Sequence, residues 1–365
     1  MKPFVKPFAI DRRGPGTPVS PRRRGRVVLL LTLFSMMTAL LARSSAAGDG
    51  TTFIKFACLA PEGSLWVKIQ REWDRELREK TKGKLAFKIF SGGILGEELD
   101  AVRKMRAGQI QATSITGIAT GQIVPSARVF ELPGLLKSYA QLDAAKEATQ
   151  DYFRNAFLDK GYVLLGFTEV GPVHIFSSKP FSDISDLKGH KLWIVDGDPI
   201  STEVARQFGF SSISLSLLNV LPSLQTGVVD TLYGSPLGVV AMQWHTHMRY
   251  VLDEPLGIAI GVWLMDRKTF EGLSPDERDI MKELGAKYTN EIVAKVREAN
   301  GKAMNFMVNR QGLKRIHLNR SRRAELEIQA REVWKALEGT IYDPALLATV
   351  REAAATVPVK GESEW

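Results

Sequence analysis

The sequence predicts an α/β protein with a largely parallel sheet, large enough for two core-bearing lobes. Three observations carry this reading. From Thr52 to Ile115 strand-like apolar runs alternate with amphipathic helical stretches, the pattern of βαβ units. Near residue 190 the turn Asp186-Leu187-Lys188-Gly189 feeds a short apolar run, Lys191 to Val195, that runs into a helix start. An open α/β sheet holds its ligand where a strand ends at a helix N-terminus. Finally, 365 residues suffice to bury two cores.

Each element has a local reason. Thr52–Leu59 reads as the first strand, followed by the turn Pro61-Glu62-Gly63. Ser64 is placed to cap a helix to Lys80, whose Leu65, Ile69, Trp73 and Leu77 recur every four residues. Lys84–Phe90 is a second strand ending at Ser91-Gly92-Gly93, Gly96-Glu97-Glu98 opens a helix to Ala107-Gly108, and Ile110–Ile115 is a third strand. A polar helix is expected over Gln141–Lys160 and a buried strand over Tyr162–Thr168. After the strand Lys191–Val195, Asp196 and Gly197-Asp198-Pro199 break the run before a helix at Ser201-Thr202-Glu203, which either acid is placed to cap. Leu221–Gly227 is a helix, with Val228–Tyr233 and Leu256–Met265 as strands. Ser274-Pro275-Asp276-Glu277 is a strong helix start, opening a run without internal proline to Gln311. Ser321–Leu337 is a charged amphipathic helix, and Lys360–Trp365 a loose tail.

Composition narrows the function. Hydrophobic residues make up 44% and charged residues 24%, an ordinary globular balance. The net charge of +9 is misleading, because residues 1–47 carry nine Lys/Arg and one Asp. The rest holds 40 basic against 39 acidic groups, so a nucleic-acid partner loses its main support. Those first residues place Arg12, Arg13, Arg22, Arg23, Arg24 and Arg26 before the apolar run Val27–Ala42 and the small residues Ser45-Ala46-Ala47. That is the layout of a secretory signal, and the run is short for an uncleaved anchor. Cys58 is the only cysteine, so no intrachain disulfide exists, and its strand context makes it a small buried hydrophobe.

Wording now adds to pattern. Lys188-Gly189-His190-Lys191-Leu192, with Leu221-Pro222-Ser223-Leu224-Gln225-Thr226-Gly227-Val228-Val229-Asp230 about thirty residues on, resembles the second-lobe signature of TRAP-transporter periplasmic solute receptors, the DctP family. Leu95-Gly96, Val102 to Gly108 and Phe130-Glu131-Leu132-Pro133-Gly134 resemble its first-lobe motifs, so the likeness runs from Thr52 to about Gln311. The resemblance implies a two-lobe periplasmic-binding-protein fold with a central cleft and a long helix bracing both lobes. It implies lobe I at 48–171 and 262–300, and lobe II at 172–261 and 301–365, with Glu169 to His174 as the crossing. It also implies a small-molecule ligand, small and large TRAP membrane subunits as partners, a monomer or homodimer, and no cofactor.

Two departures matter. Trp193 stands where the family carries an arginine that forks the ligand carboxylate, and Val173 where it often carries a second. An indole cannot do the bidentate work of a guanidinium. Tyr233-Gly234-Ser235-Pro236 likewise replaces a more polar family motif. The expected ligand is therefore neutral and largely apolar or aromatic, in a cleft that no arginine enters. The candidate ligand residues are Trp193, Tyr233, Ser235, Phe130, Glu62, Trp66, Val173, Asp196 and Trp244. Each has a plainer reading: Trp66, Trp193, Tyr233 and Trp244 as core aromatics, Phe130 equally as core, Asp196 as a helix cap.

Other chemistries have little behind them. No nucleophile elbow, P-loop or His-Glu-x-x-His helix is present, and the glycines make no dinucleotide fingerprint. His245 and His247 lack a third ligand nearby in sequence, so no metal is expected. A hydrolase using Ser235 and a scaffold or lipid-handling partner of another envelope complex stand as alternatives. The leader reading has a direct check: Edman sequencing of the exported protein is expected to start at Gly48, and an N-terminus at Met1 would leave an anchor.

Overall fold

The computed structural model describes residues 50–358, and the chain from Thr51 onward forms one compact unit. The leader at 1–47 and the tail Lys360–Trp365 lie outside the described residues. Ten strands occur among those described: β1 (Thr52–Cys58), β2 (Leu85–Phe90), β3 (Ala112–Thr116), β4 (Tyr162–Ser177), β5 (Lys191–Val195), β6 (Ser211–Leu215), β7 (Thr231–Gly234), β8 (Tyr250–Leu252), β9 (Gly257–Asp266) and β10 (Lys314–Ile316). Their order is β2-β1-β3-β9-β4-β7-β5-β6, with β8 joining β4 to β10.

The order makes two sheets that share one strand. In the first lobe β1 lies parallel between β2 and β3, and β9 runs antiparallel beside β3. The first part of β4 pairs with β9; its last residues, His174 to Ser177, pair with β7 of the second lobe. There β5 lies parallel to both β6 and β7. The crossing expected at Glu169 to His174 is thus part of the strand that both sheets share, paired except at Val170.

Where β4 changes sheets its register against β9 slips, between Leu164 and Gly166 and again between Glu169 and Gly171. Bulges of this kind bend a strand, which lets one strand serve two sheets. The bend is pinned by Asn300 on the long helix Pro275–Gln311: its Nδ2 donates to Val170 O at 3.0 Å, and its Oδ1 accepts from Leu237 N at 3.0 Å. Gly171 has φ +123°, and a Cβ there would sit 2.2 Å from that amide.

Helices cover both sheets. Leu65–Lys80 and the long helix bury Trp73 and Tyr288 against β1 and β9; Trp73 packs 4.9 Å from Phe87 and 5.0 Å from Trp263. The long helix starts as expected, with Ser274 and Glu277 forming a reciprocal capping box, and stops at Gly312 in the left-handed region. Ser64 precedes its helix but makes no capping hydrogen bond. The single helix expected over Gln141–Lys160 is two, Tyr139–Ala148 and Gln150–Asp159. They part at Thr149, whose hydroxyl donates back to Ala145 O at 2.7 Å, a bond that bends helices. The two C-terminal helices pack on different partners. Arg320–Leu337 packs on Pro199–Phe208, but Pro344–Ala355 packs on Tyr139–Ala148 of the first lobe.

Gly171→Ala combines a left-handed backbone with a steric clash, and is expected to cost about 1–3 kcal/mol in urea unfolding. A change below about 0.5 kcal/mol would mean the bend relaxes without Asn300.

Candidate ligand cleft

The parallel strands β1 and β3 of one sheet, and β5 and β7 of the other, all end at the same place. Between those carboxyl ends lies a cleft of about 1080 Å³, open solvent at its mouth included. It adjoins a second hollow of about 710 Å³ under Ile118, Val173 and Tyr233. Such a position is what an open α/β sheet provides for a ligand.

Six of the nine residues singled out from the sequence line the larger cleft: Trp66, Val173, Trp193, Tyr233, Ser235 and Trp244. Trp193 stacks on Tyr233 at 5.3 Å and 15°, and meets Trp244 edge-on at 5.2 Å. Its Nε1 donates to Leu215 O at 3.0 Å, which fixes the indole plane. It also belongs to the apolar core of the second lobe, so one ring is both core and cleft wall. Trp66 donates to Glu169 O at 3.3 Å. Ser235 caps the helix Pro236–Ala241, its Oγ accepting from Gly238 N at 3.1 Å. That satisfies a local need, not a nucleophile's.

The other three lie elsewhere. Phe130 is fully buried in an aromatic cluster, 5.2 Å from Phe153 and 5.5 Å from Phe167, so it is core and not cleft. Glu62 is exposed, forks Arg71 at 2.9 and 2.8 Å and accepts from Ser91 at 2.6 Å. Asp196 is exposed and accepts from Ser214 at 3.0 Å; the helix cap is Asp198, which accepts from Ser201 N at 3.0 Å.

Sequence reasoning missed the charges. Arg128 reaches the smaller hollow, contrary to the expectation that no arginine enters the space between the lobes. Its Nε lies 2.6 Å from Glu131 Oε2, without the alignment of a hydrogen bond, and its Nη2 lies 2.9 Å from Asp198 Oδ1. Glu131 comes from the first lobe and Asp198 from the second, so one buried guanidinium joins them. Ile260 N donates to the Glu131 carboxylate at 2.8 Å, and Gly117 leaves the room it needs. The i, i+3 spacing of Arg128 and Glu131 was the available signal; that Asp198 joins them was not visible in sequence.

Three carboxyls line the larger cleft, Glu98, Glu131 and Glu169, and no Lys, Arg or His does so among the described residues. Glu169 is answered by Lys146 at 2.9 Å and by Arg297 at 2.6 Å. Glu131 has Arg128. Glu98 makes no ion pair among the described residues: Oε1 accepts from Thr116 N at 2.9 Å, and Oε2 from Thr116 Oγ1 at 2.6 Å. Burial pushes its carboxyl up to about 7; the charges of Glu97 and Glu131 add to the rise, and the Thr116 bonds oppose it. Cys58 also lines the cleft, and burial pushes its thiol up to about 11, which leaves it inert as a nucleophile.

Two sheets that share β4, with a cleft between their strand ends, make the architecture of a two-lobe binding protein. The sequence matches the model of the bacterial extracellular solute-binding protein family 7, DctP, over residues 56–340, and the chain belongs to that family. A solute-binding protein of Roseobacter denitrificans is 26% identical over 68% of this chain and 76% of its own length. The ectoine/5-hydroxyectoine-binding periplasmic protein of Ruegeria pomeroyi is 29% identical, over 39% of this chain and 43% of its own. Among solved structures, a Bordetella pertussis extracytoplasmic solute receptor binding pyroglutamic acid superposes with a TM-score of 0.77 at 20% identity, covering 84% of this chain and 100% of that one. The sugar acid binding protein of Advenella mimigardefordensis, in complex with galactonate, gives 0.78 at 19%, over 84% and 98%.

Glu98 makes stability depend on pH. An acid whose native pKa lies above its unfolded value holds more protons when folded, so its stabilisation is full at low pH and is lost as pH rises from about 4.5 to about 7. Between about pH 5 and 8 the melting temperature of the wild type should fall more steeply than that of Glu98→Gln, which cannot titrate. Parallel profiles would mean an ordinary Glu98.

Proposed function

We propose that this protein is exported to the periplasm, its leader cleaved near Ala47. There, as a monomer or homodimer, it closes on a neutral, largely apolar or aromatic solute and presents it to a TRAP permease of small and large membrane subunits. Trp66, Val173, Trp193, Tyr233, Ser235 and Trp244 are the residues we take to touch the ligand. One observation carries the reading: no cationic side chain lines the larger cleft among the described residues. A carboxylate buried there would lack a counter-ion, which costs several kcal/mol. Arg128 does not supply one, because Glu131 and Asp198 already outnumber its charge. The acids named for the solved relatives, pyroglutamic acid and galactonate, thus fit this chain poorly. Family membership and the Trp193–Tyr233 stack support a ligand held mainly by ring contact and area burial.

Native mass spectrometry of protein purified without refolding should reveal a co-purified uncharged or weakly polar compound. Isothermal titration with succinate and galactonate should give no heat of binding at ligand concentrations up to about 1 mM. Micromolar affinity for either acid would refute the reading.

A further inference from the structure

Glu98 is a carboxyl in the cleft wall with no cation beside it among the described residues. The other acids of the cleft have their cations, Arg128 for Glu131 and Lys146 with Arg297 for Glu169. Glu98 has only the two donors of Thr116, which occupy two of the roughly four acceptor sites a carboxylate offers. A second feature of the same cleft points the same way. Trp66, Trp193, Tyr233 and Trp244 line it, and aromatic faces attract a desolvated cation.

We propose that Glu98 is the polar recognition point of the cleft and that its partner is a protonated amine, so that the receptor takes an apolar or aromatic amine. This rests on the part of the preceding reading that the cleft rejects carboxylates and holds an apolar or aromatic body, and it departs from that reading in giving the ligand a cationic head. Paired with the Glu98 carboxylate, the ammonium makes an ion pair that is neutral as a whole. Its apolar remainder then meets the indoles. An alcohol of the same shape fills the same space but leaves the carboxylate uncompensated, and an acid adds a like charge.

Four groups bear on Glu98: Glu97 and Glu131 raise its pKa by repulsion, Thr116 lowers it by donating, and Cys58 feels its charge as a neutral thiol. Arg128 stands behind Glu131. In the empty protein Glu98 is largely protonated at about pH 6 and ionised at about pH 8.5, so an arriving ammonium should displace close to one proton at the lower pH and almost none at the higher.

The test is isothermal titration of the mature protein with 2-phenylethylamine, 2-phenylethanol and 3-phenylpropionate, three probes of similar size. The amine should bind wild type at least about tenfold more tightly than the alcohol, the difference made by one charge-assisted hydrogen bond. Glu98→Gln should lose about that factor for the amine and leave the alcohol within about threefold. Should that variant not fold, the wild type alone decides. Titration of the amine at about pH 6, in two buffers of different ionisation enthalpy, must show proton release that vanishes near pH 8.5. Amine affinity no greater than that of the alcohol, unchanged by Glu98→Gln, or without proton release overturns the proposal. If the alcohol still binds and the propionate does not, the reading of the cleft survives that failure. Tightest binding of the propionate overturns both.

Discussion

The carboxylate of Glu169 is the point on which the rest of the molecule depends. It sits fully buried at the bend of β4, the strand both sheets share, and receives Arg297 from the long helix at 2.8 and 2.6 Å and Lys146 at 2.9 Å. Arg297 forks Asp143 as well, at 2.7 and 2.6 Å, and lies 4.5 Å over the Tyr139 ring. The strand, the long helix and the helix Tyr139–Ala148 are thus tied through one charge. A buried ion pair adds little net stability against an apolar substitute, yet losing one partner strands the other and costs about 3–5 kcal/mol. The network therefore acts chiefly to specify where β4 bends, and that bend aims both sets of strand ends at the cleft.

The cleft inherits its chemistry from this arrangement. The backbone carbonyl of Glu169 receives the Trp66 indole, so the residue that holds the hinge also positions one aromatic wall. The opposite wall is the Trp193, Tyr233 and Trp244 cluster on β5, β7 and the short turn after Ala241. Arg128 adds a connection of a different kind. Its two carboxylate partners belong to different lobes, so it ties them together at the smaller hollow. Among the described residues, Arg128 is the arginine that lines either hollow, and both of its ion-pair partners are protein carboxylates.

Much of the frame was legible in the sequence because it is local. The start and end of Pro275–Gln311 follow from a capping box and a left-handed glycine, both set by neighbouring residues. The strand Lys191–Val195 was readable because its apolar run and the Gly-Asp-Pro break are adjacent in sequence. Trp193 was found because a shared motif marks its position. Phe130 was misplaced because an aromatic beside a motif looks the same whether it faces a hollow or packs on Phe153 and Phe167.

By itself the sequence determined the α/β alternation, the family and the two ends of the long helix, since these depend on residue type and near-neighbour spacing. Only the tertiary structure decided which charges meet: Arg128 with Asp198, Arg297 with Glu169, and Glu98 with no cation among the described residues. The physical reason is that a charge acts through a few ångströms of space, and residues seventy or more than a hundred positions apart reach that distance only after both sheets and the long helix are assembled.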